Sequence, residues 1–291
     1  MLNLDSFSQN LSQPQYKKVS SNIKNTIASL VANYFSDKPM FEEKNISLYY
    51  YDDHAAKTNV TGTEMLALYV EINQPKNIKT LNAKLHKNNL VDDVHLTLKQ
   101  MKTELKKLFS TYFNSAVMVG ESKFGIVLKT MEKLNDEQLN YTIQVIPCFT
   151  HVNEQGQVGV KYYNNKENEV LVEYPKLALK NMTKKNAATD GLFVKYVTLM
   201  KNLYRVQKQV NTLPFEPFEV LAYNVPNTLI TSFSKENLMQ ILNYLRNKPL
   251  TEFVTLDEQD LAFKTPYRAL SLLYAGNALK TIEKAARKRL N

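Results

Sequence analysis

Regular patterning begins at 16–35, YKKVSSNIKNTIASLVANYF, where Ile23, Ile27, Leu30, Val31 and Tyr34 recur at helical spacing. That spacing predicts an amphipathic helix. FEEKNISLYYYDDH then alternates through Ile46, Leu48 and Tyr50. TGTEMLALYVEI sets Leu66, Leu68 and Val70 against Met65, Ala67 and Tyr69. Both stretches read as strands, joined by a polar connection over 52–63. Residues 92–113 carry acids first and lysines later, the order a helix dipole favours. KFGIVLKT and NYTIQVIPCFTHV follow as strands, and VGVKYYN with EVLVEY forms a hairpin that turns at NNKEN.

From Tyr174 onward the period changes from two to that of a helix. DGLFVKYVTLMKNLYRVQKQV (190–210) is one long helix, and FEVLAYNV (218–225) is an apolar helical segment. Ser234 is placed to cap the helix of SKENLMQILNYLRNK. Thr255 and Glu258 have capping-box spacing. The chain closes on a basic amphipathic helix, YRALSLLYAGNALKTIEKAARKRL. The pattern predicts an α+β protein in two parts: a mixed β-sheet domain with helices over 1–180, then a helical domain over 181–291. Helix 16–35 is free to pack on either part.

Composition narrows the classes. The 291 residues, 44% hydrophobic and 22% charged, suit globular domains with a sizeable core. No apolar run approaches the roughly 18 residues of a membrane span, so no membrane partner is expected. No basic stretch followed by an apolar one opens the chain, and cytoplasm is the expected compartment. The single cysteine, Cys148, rules out an internal disulfide and a thiolate metal cluster, and its strand predicts inert burial. His54, His86, His95 and His151 show no metal-ligand spacing. A net charge of +9 suits a phosphate-bearing partner, nucleotide or RNA. Eight of the Lys and Arg residues fall between Lys176 and Lys208 against one acid, Asp190. Lys280, Lys284, Arg287, Lys288 and Arg289 crowd the last helix.

The segment EYPKLALKNMTKKNAATDGLFVKYVTLMKNLY (173–204) contains Tyr174–Lys176, Lys185–Asn186, Thr189 and Lys201–Asn202. IPCF (146–149) precedes it and LPFEPFEVLAYNVPN (213–227) follows it. This order and spacing, over about 45–227, resembles the bacterial nucleotidyltransferases of the polymerase-β superfamily, the group of cyclic-dinucleotide and cyclic GMP-AMP synthase-like enzymes. The resemblance implies a nucleotidyltransferase sheet domain followed by a helical one. It also implies an Asp pair at i and i+2 on one strand and a third Asp on its neighbour, which hold magnesium for two-metal transfer. A Gly-Ser turn for the triphosphate would come about a dozen residues before the pair.

The chain departs from that pattern at each chemical position. The Asp pair falls on Met65 and Ala67, and the third Asp on Gln144. The Gly-Ser turn falls on Asp52–Asp53, which read as a solvated turn, and the triphosphate- and base-contacting Ser-Tyr falls on Phe215–Glu216. No catalytic residue and no metal ligand is therefore assigned. Lys201 matches the family lysine that contacts nucleotide phosphate, and Lys195, Lys185 and Arg205 accompany it. The expectation is a catalytically degenerate member without a cofactor. It would bind nucleotide or RNA, or assemble with an active paralogue or another protein. The competing expectation is an active magnesium-dependent nucleotidyltransferase with displaced carboxylates.

Overall fold

A computed structural model describes residues 14–36, 46–53, 55–60, 65–72, 93–113, 117–134, 137–210, 217–263 and 272–290. These residues hold seven strands and seven α-helices. They are α1 (Pro14–Ser36), β1 (Ile46–Tyr50), β2 (Met65–Ile72), α2 (Asp93–Phe113), β3 (Val117–Glu121), β4 (Ile126–Leu134), β5 (Glu137–Val152), β6 (Val158–Asn164) and β7 (Glu169–Glu173). Then come α3 (Pro175–Ala188), α4 (Leu192–Lys208), α5 (Pro217–Tyr223), α6 (Lys235–Asn247) and α7 (Leu272–Arg289). The α+β architecture expected from the pattern is the one observed.

The chain forms two compact units. One is made from Gln13–Tyr51 and Met65–Pro175, the other chiefly from Asp52–Glu64 and Lys176–Asn291. In the first, the sheet order is β1-β2-β5-β4-β3, with β6 on β5 and β7 on β6. Among the described strand pairs only β2–β5 is parallel. The β6–β7 turn is held by Asn164, whose Oδ1 accepts the Lys166 N–H at 3.1 Å, and Asn168 adopts the left-handed region.

Strand period two sorts the side chains of the sheet. Leu66, Leu68, Val70 and Ile72 of β2 join Ile143 and Val145 of β5 in the core. Ile27 and Val31 of α1, and Leu98, Met101, Leu105 and Phe109 of α2, pack onto it, with Ile126, Leu128, Phe149 and Tyr163 from the neighbouring strands. Helix α1 thus belongs to the sheet unit, although its pattern alone left either part open. Burying each such side chain contributes about 1.5–3 kcal/mol, so the hydrophobic effect holds this layer whatever the opposite face carries. Cys148 is buried, as its strand predicted, and its thiol donates to the Val70 carbonyl at 3.5 Å.

In the second unit, α4 buries Phe193, Val197, Met200 and Leu203, while Ala275, Ala278, Ala285 and Ala286 line the inward side of α7. Such small residues let helix axes approach closely. Helix α6 begins at Ser234, whose hydroxyl accepts the Asn237 N–H at 3.1 Å, as the capping reading expected. The Thr255–Glu258 spacing does not open a helix. Thr255 bonds to Asp257 within a turn closed by a Val254–Leu261 bridge, and Glu258 has φ 58°. A box-like spacing without an apolar period behind it gives a turn. No helix among the described residues is long and apolar enough to cross a membrane.

Candidate functional site

The sheet face opposite α1 and α2 carries the positions where the resemblance places magnesium ligands. Met65 and Ala67 share that face by strand period. The register sets Ala67 directly beside Gln144 and Met65 beside Thr142. Met65, Ala67 and Gln144 are therefore neighbours on one face. Their chemistry is a thioether on a side chain that is 49% exposed, a methyl group, and an amide whose Nε2 donates to Ser122 Oγ at 2.7 Å. Magnesium is a hard cation that takes oxygen ligands, carboxylates above all, and this donor set does not fit it. The next carboxylate on that face of β2 is Glu71, about 13 Å from Ala67 at roughly 3.3 Å per residue. It accepts from Thr150 Oγ1 at 2.8 Å. Among the described residues no group of three or more His, Cys, Asp or Glu could hold a metal ion.

Beyond Ala67 the same face becomes aromatic and buried. Tyr69 stacks on Tyr49 with centroids 5.6 Å apart and meets Tyr162 edge-on. The phenols of Tyr69 and Tyr162 both donate to the Glu173 carboxylate, at 3.0 and 2.5 Å. Burial raises the Tyr49 phenol pKa far above its ordinary value.

Asp52 and Asp53, read from the sequence as a solvated turn, are buried at 2% and 3% exposure. The correction has a physical cause: each is bonded within the helical unit. Asp52 Oδ1 accepts the Ala55 N–H at 3.0 Å, and Asp53 Oδ1 accepts Lys201 Nζ at 2.6 Å. Lys201 comes from the middle of α4 and has no exposed surface. Its ammonium also reaches Glu219 Oε1 of α5, which accepts the Thr58 hydroxyl as well. Burial alone would lower the Lys201 pKa, but Asp53 and Glu219 outweigh it and raise it above that of an ordinary lysine. Burial pushes the Asp53 carboxyl up to about 7 despite the nearby ammonium. Glu219 was not singled out from the sequence. The signal was present: one acid inside the apolar run PFEVLAY requires a buried cation.

The other cations occupy three different settings. Lys185 Nζ donates to the Val225 carbonyl at 2.7 Å and Asn227 Oδ1 at 2.8 Å, and burial lowers its pKa to about 8. Lys195 is exposed, with its ammonium 5.5 Å from the Phe233 ring centroid. Arg205 is half-buried, and its Nε has no hydrogen-bond partner among the described residues. The segment with Phe215–Glu216, and His54 and His86, lie outside the described residues, as does the side chain of His95.

The most specific motif residues prove to be scaffold. Thr189 Oγ1 accepts the Phe193 N–H and Asn186 Oδ1 the Val194 N–H, both at 3.1 Å, which satisfies the first turn of α4. Lys185 ties α3 to the Val225–Asn227 turn. These bonds fix the start of α4 and the join of α3 to the following turn.

No protein-family model matches the chain. It is 24% identical over 250 residues to the cyclic nucleotide synthase CdnE01 of Staphylococcus haemolyticus, a match covering 77% of this chain and 79% of that protein. The CdnE c-UMP-AMP synthase of Rhodothermus marinus, solved with Apcpp and Upnpp, superposes with a TM-score of 0.72 at 18% identity. That superposition covers 99% of this chain and 96% of the other. The STING-associated CdnE c-di-GMP synthase of Capnocytophaga granulosa gives a TM-score of 0.69 at 14% identity, covering 98% and 83%. Sheet register, helical unit and relatives agree: the chain has the nucleotidyltransferase fold of the bacterial cyclic-dinucleotide synthases.

Proposed function

We propose that this chain is a member of that synthase group that does not carry out metal-dependent nucleotidyl transfer and acts by binding a phosphate-bearing ligand. The observation that carries the reading is the register placing Ala67 beside Gln144, with Met65 on the same face. Transfer needs two divalent ions to activate the attacking hydroxyl and to neutralise the leaving pyrophosphate. A thioether, a methyl and an amide supply no negative charge and at most one neutral carbonyl oxygen. No step of the reaction is routed through them.

Binding draws on the helical unit. Helix α3 contains four lysines and no acid, and Lys176, Lys180 and Lys184 recur every fourth residue with all three exposed. Residues four apart share a helix face, so this is a continuous basic stripe. Lys195 adds an exposed cation from α4. Lys201 is internally neutralised, so phosphate contact falls to these surface groups. The nucleotide analogues in the Rhodothermus marinus neighbour support a nucleotide as one ligand class, and the stripe suits RNA equally.

The test is binding of ATP and of a single-stranded oligoribonucleotide over a range of salt. Affinity should fall as salt rises, with a slope near −0.7 per phosphate contacted. The Lys176→Gln/Lys180→Gln/Lys184→Gln variant should bind more weakly and flatten the slope by about two units. Unchanged affinity in the variant, or binding insensitive to salt, would rule the stripe out.

A further inference from the structure

Around Lys201 the helical unit buries more negative than positive charge. Asp53 and Glu219 share one ammonium, and all three side chains are at most 5% exposed. Among the described residues, the charged groups facing Asp53 are Lys201 from α4, Glu219 from α5 and Asp52 from its own loop. The second oxygen of Glu219, Oε2, is buried without a hydrogen-bond partner among the described residues. An ionised carboxylate held dry and short of donors is costly. The excess charge must be neutralised by a cation or by a proton.

A second cation fits poorly. The ammonium already lies between the carboxylates, and like charges a few ångströms apart in a dry site repel strongly. Asp52 is a third carboxylate nearby, but its Oδ1 accepts the Ala55 N–H, and among the described residues no group of three or more acidic, imidazole or thiol side chains could hold a metal ion. A proton needs neither space nor a coordination shell.

We propose that the Asp53–Lys201–Glu219 cluster closes with one proton on Asp53, making loop residues 52–53 and 55–60 a latch that is seated at lower pH and loosened above neutrality. The loop's own bonds run through the same residues: Thr58 N–H donates to the Asp53 carbonyl at 2.8 Å, and the Thr58 hydroxyl to Glu219 Oε1 at 2.5 Å. Both titrating partners shift in the direction of tighter proton binding, Asp53 from 3.8 up to about 7 and Lys201 upward from its ordinary value. For Asp53 the folded pKa is the raised one. Its contribution is therefore complete below 3.8 and is lost as pH rises through about 7. Across that window one extra bound proton lowers the folding constant by up to tenfold per pH unit.

The experiment compares urea unfolding of the full chain and of Asp53→Asn between about pH 5 and pH 8. The wild type should lose stability more steeply with pH than the variant, by up to tenfold in the folding constant per unit. Two measurements on the wild type alone keep the test open if the variant does not fold. A protonated-carboxyl infrared band should be present at about pH 5.5 and fade above neutrality. Amide exchange across 55–60 should accelerate with pH beyond its intrinsic rate. Equal pH slopes in the two proteins, no such band, or stabilisation that follows potassium or magnesium at constant ionic strength would overturn the latch.

Discussion

Replacing Lys201 by methionine removes the ammonium and keeps most of the side-chain volume. In the structure this leaves the carboxylates of Asp53 and Glu219 facing each other without a counter-charge, in a site where Lys201 and Glu219 have no exposed surface. Removing one partner of a buried ion pair destabilises by about 3–5 kcal/mol, because the remaining charge stays buried and unpaired. Here two charges remain, so the upper part of that range is expected. For a chain of this size that corresponds to a fall of roughly 5–8 °C in melting temperature. The loss should be smaller at about pH 5 than at pH 8, since Asp53, whose carboxyl burial pushes up to about 7, can take up a proton instead of staying ionised. Adding Glu219→Gln to the variant should recover part of the stability by removing one of the two charges. The assay is chemical denaturation of each variant at both pH values, followed by circular dichroism. A loss below about 1 kcal/mol at both pH values would refute the reasoning, since it would mean that solvent or another group already screens the carboxylates.

Two further substitutions probe the scaffold. Gly125→Ala places a Cβ 2.0 Å from the Val145 carbonyl oxygen, a close approach that only glycine allows. Its denaturation midpoint should drop by an equivalent of 3 kcal/mol or more, at or beyond the upper end of the usual overpacking range of about 1–3 kcal/mol. Ser234→Ala removes the side-chain acceptor of the Asn237 N–H at the start of α6. Thermal melting should show a loss of about 1 kcal/mol, and Ser234→Asp should restore most of it.

The elements were legible wherever one periodicity ran unbroken. Strand β2 could be read from Leu66, Leu68 and Val70, and these residues sit in the core as that alternation requires. The second face of β2 was only half legible. Met65 is open, whereas Tyr69 and Glu71 are buried by hydrogen bonds to Glu173 and Thr150, residues far along the chain. Those partners lie on β7 and β5, and alternation along one strand says nothing about them. Asp52–Asp53 failed for the same reason. Two adjacent acids beside polar residues read as a turn, and only the fold brings Lys201, 148 positions away from Asp53, into contact with them. Local sequence encodes which side chains want burial, while the partner that satisfies a buried charge is a property of the tertiary arrangement.

The positions where the resemblance places magnesium ligands were legible by a different route. Resemblance assigned Met65, Ala67 and Gln144 to one site, and periodicity could not have linked the first two with the third. The register of β2 on β5 brings all three together on one face. The same motifs led to Lys201 as a phosphate contact, and its structural setting is a buried ion cluster.

The central claim is that this face cannot assemble a two-metal centre. It is tested most directly by incubating the purified chain with magnesium and a mixture of α-labelled nucleoside triphosphates and measuring pyrophosphate release together with labelled product. The account predicts release no greater than buffer alone, with no linear or cyclic dinucleotide formed. Magnesium-dependent product appearing together with pyrophosphate would contradict it.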